Sequence, residues 1–80
     1  MKIPAIKKLV ETYTKVELLT AESAISEGKS PEIDVEGEDE GEQLTHVIAA
    51  AWILQEMNSK NMDFKSALRE YTQKVRNSIS

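Results

Sequence analysis

Cysteine is absent from the sequence, histidine and tryptophan occur once each, and 80 residues hold only three glycines and two prolines. Without cysteine the chain has neither disulfides nor thiolate zinc ligands, and a lone histidine leaves no His/His metal pair within one copy. A chain this short buries only about 60 to 65% of the surface it exposes when unfolded. With those staples excluded, stability has to come from tight helix packing and self-association. Long apolar runs are missing too. The longest, Val47 to Leu54, suits a core helix and falls far short of the roughly 20 residues that span a bilayer. The amino-terminal stretch MKIPAIKKLVETY has lysines but only isolated apolar residues, unlike a secretory signal. A cytoplasmic location without membrane attachment is the resulting expectation.

Basic residues are missing from one segment. Ser30 to Thr45 contains seven acids and no base, while the rest of the chain carries all ten Lys and Arg against seven acids, a net of +3. The overall charge of -4 and this split argue against a nucleic-acid binder. They allow unlike charges to dock, within the chain or between copies.

What is present is helical spacing. Ile3, Ile6, Leu9, Val10 and Tyr13 form one stripe, with Pro4 suited to a first turn. TKVE, Thr14 to Glu17, has the form of a capping box and starts a second helix. That helix runs to about Glu27 with Leu18, Ala21, Ala24 and Ile25 inward, and Gly28 supplies a left-handed stop. Ile33 and Val35 then alternate with Glu32, Asp34 and Glu36, which predicts a short extended segment near residues 32–36. A long helix follows from about Asp39 to Asn58. One of its faces is Leu44, Val47, Ile48, Ala51, Trp52 and Gln55. Ala50, Ile53, Leu54 and Met57 carry apolarity around the rest, and a helix apolar on most sides is buried on most sides. In so small a chain this predicts a second subunit against Ala50, Trp52, Ile53, Leu54 and Met57. After a stop at Asn61 and a cap at Asp63, a last helix puts Phe64, Ala67, Leu68, Tyr71, Val75 and Ile79 on one stripe and Lys65, Arg69, Lys74 and Arg76 outside it. The fold expected is mainly all-α: one antiparallel four-helix domain over residues 1–80 with one short extended segment.

Chemistry is sparse. Asp34, Glu36, Glu38, Asp39 and Glu40 are the candidate cation ligands, yet the segment fails as an EF-hand loop in both registers. With Gly37 as the sixth position the twelfth is Gln43, and with Gly41 it is Val47. Acids in the first turn of the long helix are instead expected to complement its dipole. His46 is the candidate acid/base group, paired with Glu42 one turn earlier. Such a site would lie at a subunit interface, with Tyr13 or Tyr71 lining it. No nucleophile elbow and no phosphate-binding glycine loop exists. The basic residues of the last helix are too few to predict nucleic-acid binding.

The combination VEGEDEGEQLTHV, the Trp-containing helix after it and the ending ALREYTQKVRNSIS resembles a family of short, uncharacterised bacterial proteins with no assigned activity. The resemblance implies a cytosolic bacterial protein and supplies no catalytic or binding residue. The functional expectation is a small homo-oligomeric interaction or accessory module without a cofactor, with an unidentified protein as a further possible partner. Its rivals are an enzyme or ligand site around His46 and divalent-cation binding by residues 34–42.

Overall fold

Local chemistry sets the ends of four helices. The computed structural model describes residues 2–79, and its elements are α1 (Ile3–Thr12), α2 (Lys15–Ser26), α3 (Glu40–Lys60) and α4 (Phe64–Ile79), an all-α fold. Pro4 lies in the first turn of α1, and the extended Tyr13 ends that helix while its N–H donates to the Leu9 carbonyl. Thr14 then caps α2 reciprocally: its hydroxyl accepts from the Glu17 N–H at 3.2 Å and the Glu17 carboxylate accepts from the Thr14 N–H at 2.9 Å. Gly28, at φ +78°, closes the helix in the left-handed region, where a side chain is disfavoured. Asp39 caps α3, Asn61 ends it in the left-handed conformation, and Asp63 accepts from the Ser66 N–H at the start of α4.

The molecule measures 31 × 29 × 19 Å, and 19 Å is about two helix diameters. Two layers leave space for one central element, and α3 takes it, packing against each of α1, α2 and α4. Ile6, Leu9, Leu18, Val47 and Ile53 are among the fully buried side chains. Val35, from the segment between α2 and α3, is buried against the same core, and Ile33 is partly buried beside it. That segment forms no strand; among the described residues there is none.

The expected subunit face is displaced. Ala50 and Ile53 have no exposed surface, and Ala49 and Ala51 are buried beside them. Their small side chains admit the chain's own helices, so the run of apolar residues around α3 is covered from within. Trp52, Leu54 and Met57 are partly buried and pack on the same core. Ile3, expected inward, is 49% exposed, and Val75 on α4 is 37% exposed. The side chain of Ile79, the last member of the predicted α4 stripe, lies outside the described residues.

Ile53→Ala should therefore cost about 2 to 5 kcal/mol, the range for emptying a buried aliphatic site, whereas Ile48→Ala, at a part-exposed site, should cost under about 1 kcal/mol. Urea unfolding of the two variants, at a concentration where the midpoint no longer depends on protein concentration, measures the contrast.

The Asp63 cap carries a pH dependence. The Ser66 N–H and hydroxyl hold the Asp63 carboxyl below the ordinary aspartate value. A depressed folded value means that the cap stabilises fully above the unfolded aspartate range and is lost as pH falls through the folded value. The difference in melting temperature between the wild type and Asp63→Ala should be constant near neutrality and shrink in acid; thermal melts from neutral to acidic pH read it directly.

Candidate functional site

His46 sits two turns into α3 with no exposed surface. Its Nε2 accepts from the Lys2 backbone N–H at 3.0 Å, and its Nδ1 lies 2.7 Å from the Glu36 carbonyl oxygen. An amide N–H only donates and a carbonyl only accepts, so the ring is neutral with its proton on Nδ1. The imidazole thereby joins the start of α1, the loop before α3, and α3 itself. Both nitrogens are committed to backbone groups, which leaves neither for a substrate.

Glu42 does not meet His46. Its backbone N–H donates to Asp39 Oδ1 at 2.8 Å, and its carboxylate accepts from the Glu38 N–H at 3.1 Å. The carboxylate has turned back to satisfy donors at the helix start, where the dipole also favours it. The tyrosines expected beside His46 are elsewhere: the Tyr13 hydroxyl accepts from the Asp34 N–H at 3.2 Å, and Tyr71 packs on Trp52. Burial raises the Tyr71 phenol above its ordinary value.

The five candidate cation ligands are not brought together. Asp34 faces Lys8 at 3.9 Å, Asp39 is used as a cap, and Glu36, Glu38 and Glu40 are exposed. Among the described residues no three His, Asp or Glu side chains converge as metal ligands do. Gly37 contributes by its lack of a side chain: a Cβ there would fall 2.8 Å from the Gln43 backbone nitrogen, so only glycine lets the loop close on α3.

The surface offers more. A shallow groove of about 220 Å³ is lined by Lys15, Leu19 and Glu22 of α2 and by Ile48, Ala51, Trp52 and Gln55 of α3. Leu19 is 42% and Ile48 39% exposed, so two aliphatic side chains meet solvent side by side in the groove. The Trp52 ring leans on Tyr71, with centroids 5.6 Å apart and planes at 53°. That contact fixes the tryptophan on one side and leaves it lining the groove on the other. A second hollow of about 170 Å³ lies between α2 and the 32–33 segment, beside the 72% exposed Val16. Both are smaller than the roughly 300 to 1,000 Å³ of small-molecule sites.

Only Trp52, among the residues expected at an interface, lines the groove. Leu19 was missed although a signal existed: Leu18 and Leu19 are adjacent, about 100° apart on a helix, and one narrow core stripe takes only one of them. Ile48 was grouped with Val47, which is fully buried, by the same error.

The chain belongs to a family of unknown function, DUF6952, whose model matches residues 1–80. No curated protein and no solved structure matches it. Among the described residues no helix is long and apolar enough to cross a membrane.

His46→Ala should destabilise the fold by about 2 to 4 kcal/mol, since it empties a buried site and orphans the Lys2 N–H and the Glu36 carbonyl. His46→Phe, which restores volume but neither hydrogen bond, should remain destabilised by more than about 1 kcal/mol. The ring nitrogen shifts of the wild type in ¹⁵N NMR should show the Nδ1–H form; an Nε2–H form would contradict the assigned bonds.

Proposed function

We propose that this member of the DUF6952 family is a small non-enzymatic interaction module that works as a homodimer, with the α2/α3 groove as its contact surface. The observation that carries the reading is the cluster of Leu19, Ile48 and Trp52 in one concavity. Burying such side chains contributes roughly 25 cal/mol per Å² of apolar surface removed from water. A thin two-layer core has little other means of gaining stability. Trp52 is the natural anchor, being a large ring already immobilised against Tyr71.

The flanks of the groove favour a second copy as the occupant. Lys15 and Glu22 stand seven residues apart on α2, on either side of Leu19 and on the same helix face. A two-fold axis near Leu19 sets Lys15 of one copy against Glu22 of the other, twice. Self-complementarity of this kind is what an isologous interface requires.

Sedimentation at micromolar concentration should give the mass of a dimer, and Leu19→Asp or Ile48→Asp should give a monomer with unchanged far-ultraviolet circular dichroism. Lys15→Glu alone should weaken the dimer, and adding Glu22→Lys should restore it. A wild type that sediments as a monomer at those concentrations overturns the reading.

A further inference from the structure

The strongest charge contrast on the molecule is used by no contact within it. Lys65, Arg69 and Arg76 share one face of α4 with Leu68, Thr72 and Gln73, around a shallow depression of about 330 Å³. From Thr72 to Ser78 every residue of α4 is exposed. Elsewhere the segment from Glu32 to Glu42 holds seven carboxylates without a base, and all but Glu42, which is partly buried, are exposed. The sequence admitted pairing of these two regions within the chain. Among the described residues no ion pair joins them: the acidic segment has Lys8 with Asp34, and α4 has Glu70 with Lys60.

We propose that the basic stripe of α4 docks on the acidic segment of a second copy of this chain. No such pair forms in cis among the described residues. Tyr13, His46 and buried Val35 hold the acidic segment, while buried Ala67 and Tyr71 fix α4 on α3. Both patches are thus anchored with their charges exposed, within reach of a second molecule. Guanidinium forks at Arg69 and Arg76 suit carboxylate recognition, and Leu68 and Thr72 between them provide a floor without competing charge.

The contact joins unlike patches. Two such contacts about a two-fold axis close a pair, and a single contact leaves one free patch of each sign for further copies. Exposed charges are screened over about 8 Å at physiological ionic strength, so the contact is salt-sensitive. The groove contact, centred on Leu19, Ile48 and Trp52 and only flanked by Lys15 and Glu22, is less so. The inference stands independently of the groove dimer, and the two are separable.

Sedimentation velocity at about 20 mM and about 500 mM salt should show association falling by about tenfold or more as the charges are screened. The variant Arg69→Glu/Arg76→Glu should lose that salt-dependent step, as should Glu38→Lys/Glu40→Lys. An equimolar mixture of the two should regain it, with circular dichroism confirming that each is folded. Leu19→Asp should leave the salt-dependent step in place even where it abolishes the groove dimer. Association that ignores salt, unaltered assembly of either variant, or failure of the mixture to recover overturns the proposal. Retention of a labelled DNA duplex by a wild type that does not associate would also overturn it and assign the stripe to a nucleic acid.

Discussion

The burial of α3 is the constraint on which the rest of the molecule depends. A 21-residue helix is about as long as the molecule is wide, and it carries apolar side chains around most of its circumference. Covering it takes α1, α2, α4 and the Ile33 to Val35 segment together, in a body 19 Å thick. The concavities among the described residues are shallow. The alanines at 49–51 matter for the same reason, because they let the flanking helices come close enough to exclude water.

Covering α3 also means bringing polar backbone into contact with it, and His46 resolves that conflict. The first turn of α1 exposes the Lys2 N–H to the core, and the loop before α3 exposes the Glu36 carbonyl. One neutral imidazole satisfies both. A buried polar group costs free energy unless it is bonded, and among the described residues no buried side-chain nitrogen or oxygen is left without a partner. Asp39 and Glu42 continue the same task at the surface by taking up the donors at the start of α3. The acidic run thus divides into helix capping, one exposed pair with Lys8, and carboxylates turned to solvent.

Stability and surface chemistry are linked in a protein this small. The residues that fill the core leave Leu19 and Ile48 outside it, and among the described residues Glu32, Glu36, Glu38 and Glu40 form no ion pair. Both remainders are surfaces: one apolar and centred on Trp52, the other charged and running along α4.

Helix ends were legible because their chemistry is local. The Thr14 to Glu17 box, Gly28, Asn61 and Asp63 act within a few residues of chain, and a reader of the sequence meets both partners at once. The all-α class followed from the 3.6-residue spacing of apolar side chains. The sequence did not reveal what faces what. Lys2 and His46 are 44 residues apart, and no local rule pairs a backbone N–H with a ring at that distance. A stripe identifies which side chains share a face, but whether Ala50 and Ile53 meet a second subunit or the chain's own helices depends on how many helices fit around α3. That is a matter of volume and crossing, decided only when the chain packs, and it put Ala50 and Ile53 in the core while leaving Leu19, Ile48 and Trp52 to line a surface groove.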